Sequence, residues 1–449
     1  MRLIWNAGNG ITRQALLETS RELRESASGF ISKLEVWGPG DLNAFPSHAK
    51  LRSLVINLRR MESSDELDEL DDEIGRIIWP CLHFWLQAAP RTRMRGVQRL
   101  KLIFSDIDVP PAGAFDLAMR DVALACPDLA HFDLVGTAGM SSVAMTAIRS
   151  HLVGLTSLRL DVQHDFPLGG YVRPPYLLRR FEAPGLVGDV PVLEHLAALP
   201  SLEDVQLHSI NLHPGSVVRS AGCAWKRLRL DSGRLRDWAV AAFTHWPDGV
   251  RCSTSTGEMR VMVTPHHGVQ ADLAVLFERL RSWSWPTLML MLIGEENVTA
   301  AAAAASAVNV CNAASSSSVS IDSLILTDFE DVDRGLIRAA LAVPGVLRLT
   351  FEFCNFVFAE GALEDLLTPP ASSSVRHVQL IFSLYMADVR RCLLPAARRT
   401  TLRRLDVGAH IDLDGQPYLA EEIREEVRAA REAAGLPPLA LTFDPSLGR

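Results

Sequence analysis

Six arginines recur at one position of a short motif. Arg99, Arg180, Arg227, Arg260, Arg348 and Arg404 each stand directly before an apolar-x-apolar triplet. A guanidinium is planar, permanently charged and forked, so it matches carboxylates and phosphates two bonds at a time. The chemistry expected of such a row is anion recognition, with no bond made or broken. Across fifteen triplets the same position holds Lys33, Ser53, Arg99, His131, Ser157, Arg180, Asp204, Arg227, Arg260, Met289, Ser323, Arg348, His377, Arg404 and Ala440. Seven are Arg or Lys and two are His, whereas Arg plus Lys make up only 45 of 449 residues, so the row is enriched.

Catalytic signatures are lacking. The chain has no G-x-S-x-G, H-E-x-x-H, P-loop or G-x-G-x-x-G, and Gly136-Thr-Ala-Gly139 is expected to be an outward turn. Pro265-His266-His267-Gly268 holds the one adjacent His pair, with no further ligand placed by motif, and is expected to be a surface turn rather than a metal site. No catalytic residue, cofactor or metal is therefore assigned, and the chain is expected not to be an enzyme.

The triplets must sit on strands, because only alternation puts the preceding residue on one face and the apolar pair on the other. Their cores are Leu34-Glu-Val36, Leu54-Val-Ile56, Leu100-Lys-Leu102, Phe132-Asp-Leu134, Leu158-Arg-Leu160, Phe181-Glu-Ala183, Val205-Gln-Leu207 and Leu228-Arg-Leu230. They continue through Val261-Met-Val263, Leu290-Met-Leu292, Leu324-Ile-Leu326, Leu349-Thr-Phe351, Val378-Gln-Leu380, Leu405-Asp-Val407 and Leu441-Thr-Phe443. Most have another apolar residue three before the centre, as at Leu129, Leu155, Leu178, Leu202, Trp225, Ile321, Val375 and Leu402. Centres are separated by 181−158 = 23, 205−181 = 24, 228−205 = 23 and 349−324 = 25 residues.

The fullest copy is Val346-Leu-Arg-Leu349-Thr-Phe351-Glu-Phe-Cys354-Asn-Phe356. It resembles the leucine-rich-repeat unit L-x-x-L-x-L-x-x-N/C-x-L, whose period is roughly 20–29 residues. The resemblance covers about residues 31 to 444 and implies an α/β solenoid, a horseshoe with parallel strands on the concave face and helices on the convex face. Helices are expected between the strands, over 115–125, 142–151, 190–199, 236–244, 269–283, 331–342, 359–367, 387–396 and 417–434. Pro or Gly often closes them, as at Pro127, Pro200, Pro344-Gly345 and Gly435. Longer gaps, 100−54 = 46 and 324−290 = 34, predict insertions at about 60–90 and 297–320. Ala300 to Ala305 and Ser315 to Ser318 in the second are expected to form a mobile loop. The domain organisation expected is an N-terminal piece, 1–30, followed by one solenoid over 31–449.

Composition bounds the partners. The net charge of −8 is concentrated in Glu62, Asp65, Glu66, Asp68, Glu69, Asp71, Asp72 and Glu73; without them the balance is −8+8 = 0. Leu67, Leu70, Ile74, Ile77 and Ile78 run at helical spacing through and after this stretch, which predicts an amphipathic helix with a solvated acidic face; a docking patch for a basic partner is the alternative. A pI of 5.9 disfavours nucleic acid. Seven scattered cysteines without a C-x-x-C argue for a reducing compartment. With no apolar leader or membrane span visible, a cytoplasmic or nuclear protein is expected.

The segment Ala15-Leu16-Leu17-Glu-Thr-Ser-Arg21-Glu-Leu23-Arg24 leads into the first strand. It resembles the last helical part of an F-box, and the chain is similar to F-box leucine-rich-repeat proteins, although the Leu-Pro-x-Glu opening is lacking. That resemblance implies a ubiquitin-ligase adaptor bound through the F-box and a substrate bound through the repeats. A helix capping the first repeat is the alternative for the same residues. Two readings of the arginine row also stand side by side. One is a basic concave groove for an acidic or phosphorylated protein. The other is a charge lattice neutralised by acids two residues on, at Glu35, Asp133, Glu182 and Asp406.

Overall fold

A computed structural model describes residues 32–36, 51–58, 82–83, 86–87, 94–107, 112–137, 142–162, 175–244, 249–264, 273–285, 287–294, 299–356, 361–381, 386–398, 400–408 and 417–443. The N-terminal segment, the acidic run at 62–73 and the His pair lie outside these residues.

The chain's contacts fall into two compact units. The first comprises Met1–Ile210, Val218–Asp231 and Thr244–Pro247. Its strands are β1 (Lys33–Val36), β2 (Ser53–Asn57), β3 (Arg99–Ile107), β4 (His131–Thr137), β5 (Ser157–Val162), β6 (Arg180–Gly188), β7 (Asp204–Ile210) and β8 (Arg227–Leu230). They stand side by side in chain order, all parallel. Helices α1 (Ala112–Ala125), α2 (Ser142–His151) and α3 (Val190–Ala197) occupy the connections.

The second unit comprises Asn211–Val217, Ser232–Phe243 and Asp248–Arg449. It runs β9 (Arg234–Arg236), α4 (Asp237–Ala241), β10 (Arg251–Thr254), β11 (Met259–Val263), α5 (Leu273–Ser282), β12 (Leu288–Ile293), α6 (Ala300–Ser316) and β13 (Ser323–Thr327). It continues with α7 (Arg334–Ala342), β14 (Arg348–Glu352), α8 (Ala362–Leu367), β15 (His377–Ile381), α9 (Met386–Ala397), β16 (Arg404–Gly408), α10 (Pro417–Ala433) and β17 (Ala440–Phe443). Its sheet is ordered β9-β11-β12-β13-β14-β15-β16-β17, again parallel, with a single bridge tying Arg251 of β10 to Ser284. Each unit is thus an open strand–helix solenoid, and all fifteen expected triplets lie on strands, aligned triplet to triplet within each sheet.

Two physical causes hold that register. The apolar pair of each triplet points inward, as with Leu324 and Leu326 or Leu405 and Val407, and is closed from solvent except at the outermost strands, where Leu34 and Leu441 are half-buried. The upstream residues Leu129, Leu155, Leu178, Leu202, Trp225, Ile321, Val375 and Leu402 are buried with them. The second cause is a backbone clamp repeated from turn to turn. Ala130 and His131 both donate to Gln98 O, Thr156 and Ser157 to Ala130 O, and Arg179 and Arg180 to Thr156 O. In the second unit Arg376 and His377 share Leu347 O, and Arg403 and Arg404 share Arg376 O. One carbonyl therefore seats two successive N–H groups of the next turn.

Cys354 fills the Asn/Cys place of the repeat. It is fully buried, and its Sγ lies 3.4 Å from Leu326 O and 3.3 Å from Glu352 O, so its single S–H has a carbonyl acceptor on either side.

The stretch expected as a mobile loop at 297–320 is instead the helix of its turn, α6. Ala303, Ala304, Ala307, Val310, Cys311 and Ala314 form its buried face. The serines do not break it, because Ser315, Ser316 and Ser317 turn their hydroxyls back onto Cys311 O (2.8 Å), Asn312 O (2.9 Å) and Ala314 O (2.8 Å). Such back-bonding adds a second donor to carbonyls of the last turns, so the hydroxyls are satisfied without displacing the helical bonds.

Candidate partner-binding face

The residues before the triplets form an outward row in both sheets. In the first unit the pairing Lys33↔Ser53↔Arg99↔His131↔Ser157↔Arg180↔Asp204↔Arg227 is continuous from strand to strand. In the second it reads Arg234↔Arg260↔Met289↔Ser323↔Arg348↔His377↔Arg404↔Ala440. The six arginines singled out by sequence thus divide into Arg99, Arg180 and Arg227 on one sheet and Arg260, Arg348 and Arg404 on the other. No two of them are neighbours. His131 and Ser157 separate Arg99 from Arg180, and Asp204 separates Arg180 from Arg227.

On the first sheet Arg159, Arg180, Arg227 and Arg229 are internally matched, whereas Lys33, Arg99 and Lys101 enter no ion pair among the described residues. Arg227 Nε lies 2.6 Å from Asp204 Oδ1, Arg159 Nη2 lies 2.9 Å from Asp161, and Arg229 Nε lies 3.3 Å from Asp231. Arg180 pairs with Glu182, which Arg159 also approaches at 3.9 Å. Glu35 accepts from Asn57 Nδ2 at 3.1 Å. Burial raises the Asp133 carboxyl while Arg159, Arg99 and Lys101 draw it back. Burial also lowers His131, helped by Arg99 and Arg180. Of the acids two residues on, Glu182 alone on this sheet pairs with an arginine of the row among the described residues. The exposed pairs contribute little each, about 0.2–1 kcal/mol, because water screens them.

The second sheet is built differently. Its outward middle row is Arg236, Met262, Met291, Ile325, Thr350, Gln379, Asp406 and Thr442. With Met289 and Ile293 this makes an apolar floor of thioethers and isoleucines. Met289 and Ile325 are nearly closed off at 4% and 5% exposure, while Met262, Met291 and Ile293 remain half-buried. Asp406 is occupied twice over, by Arg404 Nε at 2.8 Å and His377 Nε2 at 2.7 Å. Burial pushes Asp406 up, yet the hydrogen bonds from Arg404, His377 and Thr442 outweigh it and hold the carboxyl below its ordinary value. Arg260 reaches Glu258 only at 4.0 Å. Burial also raises Glu352, with Arg260 opposing the rise and Asp328 adding to it. Among the described residues Arg234 and Arg348 enter no ion pair.

Sequence inspection missed Arg234 and Arg236. Their strand, β9, has three residues and no upstream apolar anchor, although Arg234-Leu-Arg236 obeys the outward–inward–outward alternation. Arg236 itself is engaged, stacked over the Trp238 ring at 5.4 Å and bonded to Thr264 Oγ1 at 3.3 Å.

Groups for covalent chemistry are not assembled among the described residues. Burial pushes the thiols of Cys126, Cys311 and Cys354 up to about 12, so they stay protonated at neutral pH. No group of three or more His, Cys, Asp or Glu could hold a metal ion among the described residues, and no helix among them is long and apolar enough to cross a membrane.

No family model matches the chain, and no curated protein matches it in sequence. Among solved structures, the crystal structure of the Rad7 and Elc1 complex in yeast contains a similar chain. The identity is 11%, over 80% of this chain and 94% of that chain, with a TM-score of 0.27. A superposition that loose transfers nothing to this chain. The fold assignment rests on its own strand ladder.

Proposed function

We propose that this chain is a non-enzymatic scaffold that binds a protein partner through the outward face of its parallel sheets. One observation supports this most directly. The outward row of the second unit carries arginines beside an apolar floor, and Arg234 and Arg348 have no carboxylate partner among the described residues. Arg99 on the first sheet is likewise without an ion pair among the described residues, but it has no such apolar floor beside it. Open sheet faces with mixed apolar and Arg character are suited to protein recognition.

Photo-crosslinking in cells tests the proposal. A benzoylphenylalanine at Gln206 or Gln379, both on outward rows, is expected to capture a partner. The same group at Arg120 or Arg338, on helix surfaces, is expected not to. Capture confined to the helix positions overturns the proposal.

A ubiquitin-ligase substrate subunit is the second reading. It rests on Leu16 to Arg24 alone, outside the described residues, and co-purification with the ligase adaptor is its test.

A further inference from the structure

Resting on the scaffold reading above, we infer that the partner enters the second unit as an extended acidic peptide segment. Two of its carboxylates meet Arg260 and Arg348, and an apolar side chain between them lies on the methionine floor.

The register fixes the spacing. Arg260 is on β11 and Arg348 on β14, with Met289 and Ser323 between them in the same row. Three strand steps at about 4.8 Å put the two backbone positions roughly 14 Å apart. An extended peptide crossing the strands rises about 3.3 Å per residue, so it covers that distance in about four residues. Residues i and i+4 of such a peptide point the same way, and so does i+2. The i+2 side chain then faces Met262, Met291 and Ile325, which form a row beside the first.

Charge and softness both fit this occupant. Arg348 is exposed, has no ion pair among the described residues, and lies beside His377, which its charge helps to keep neutral. Arg260 has Glu258 only at 4.0 Å. Asp406 is committed to Arg404 and His377, and Glu352 is half-buried, its carboxyl raised by burial and by the exposed Asp328 against the pull of Arg260. A guanidinium in such surroundings gains a charge-assisted, two-pronged bond when a carboxylate arrives. Methionine is unbranched and polarisable, so a floor of Met262, Met289 and Met291 can re-form around different apolar side chains. The sheet is also unbroken here. None of the second unit's ladders from β11 to β17 slips register, whereas three ladders of the first unit do.

A phage-displayed random dodecapeptide library, selected on the immobilised full chain, tests the inference. Selected peptides are expected to carry two Asp or Glu about four residues apart with Leu, Met, Ile or Phe between them. Fluorescence anisotropy of a labelled selected peptide should show at least tenfold weaker binding to Arg260→Glu/Arg348→Glu, and a smaller loss with Arg260→Gln/Arg348→Gln. Arg180→Glu/Arg227→Glu should leave it unchanged. Circular dichroism and melting of each variant confirm that the fold is kept. Peptides that survive the Arg260/Arg348 changes but are lost with Arg180→Glu/Arg227→Glu overturn this inference while leaving the scaffold reading intact. Peptides indifferent to both pairs of changes count against both. A selection that yields no binder above background also overturns the inference.

Discussion

His377 Nε2 lies 2.7 Å from Asp406 Oδ2 across the β15–β16 pair, yet the imidazole binds a proton less readily than a free histidine. Burial is the largest cause, and Arg348 and Arg404 on the flanking strands add to it, against the pull of Asp406. Asp406 is 3% exposed and thus acts as the shared acceptor of its neighbours rather than as a base that charges the ring.

This pairing sets a pH dependence. Because the folded state holds His377 below the ordinary value of 6.5, the unfolded chain takes up a proton that the folded chain does not. Stability is therefore expected to fall as pH drops below about 6.5, where the unfolded histidine charges. Asp406, whose folded value is lowered, adds a second loss in acid as pH falls through that folded value. Urea unfolding at pH 7.5 and 5.5 measures the first effect. His377→Asn should flatten that slope by the share of His377; His131, shifted in the same direction, keeps its own share. An unaltered slope would show that the imidazole is not the group responsible.

Helix α7 is started by Asp333, whose Oδ1 accepts from Leu336 N at 2.7 Å. Removing a side-chain cap of this kind costs about 1 kcal/mol. Asp333→Ala should lower stability by that order, and Asp333→Asn should retain most of it. Chemical denaturation of the pair separates capping from charge.

Gly294 follows β12 at a point where neighbouring turns touch. A Cβ there would fall 2.0 Å from the backbone oxygen of Asp328, with no flexible side chain to yield. Gly294→Ala is expected to cost more than about 1 kcal/mol, since the backbone itself must move. Gly113, early in α1, has nothing within 4 Å of the same position. Gly113→Ala should be neutral or stabilising by up to about 1 kcal/mol, which makes it the matched control in a melting experiment.

Arg431 on α10 is 2% exposed, and backbone carbonyls rather than a carboxylate receive its hydrogen bonds among the described residues. Its guanidinium donates to Pro437 O at 2.6 Å and to Ala397 O and Thr400 O at 3.3 Å, stitching the last turn to the one before it. Arg431→Met keeps the aliphatic stem and removes the donors. A loss on the order of 2–3 kcal/mol is expected, since buried carbonyls are left without partners. Hydrogen exchange should show the loosening at β16 and β17 before it reaches β11.

The strands were legible from sequence because alternation and burial act on three or four adjacent residues, so Leu405-Asp-Val407 announces itself. Strands β9 and β10 were not, since Arg234-Leu-Arg236 and Arg251-Cys-Ser-Thr254 are too short and too polar for the repeat spacing to register. The helix over the serine run was missed because serine's hydroxyl either competes with helical bonds or completes them. Which it does depends on carbonyls within reach, such as Cys311 O and Asn312 O. The positions of the six arginines followed from the triplets, but their electrostatic fates did not. Arg180 meets Glu182 along its own strand, as the two-residue offset suggests, while Arg227 turns across to Asp204 and Arg348 meets no carboxylate among the described residues. Those differences lie in what the adjacent strand presents, which is some two dozen residues away in the chain.

The doubled clamp, in which one carbonyl seats two successive amides of the following turn, has a consequence for how this molecule can change over time. The rail that spaces the outward positions is made of main chain and of side chains pointing the other way. Much of the lettering along that rail can therefore be rewritten by mutation without the ladder coming apart. A lineage could inherit the spelling intact, or exchange it for another, and keep the same page.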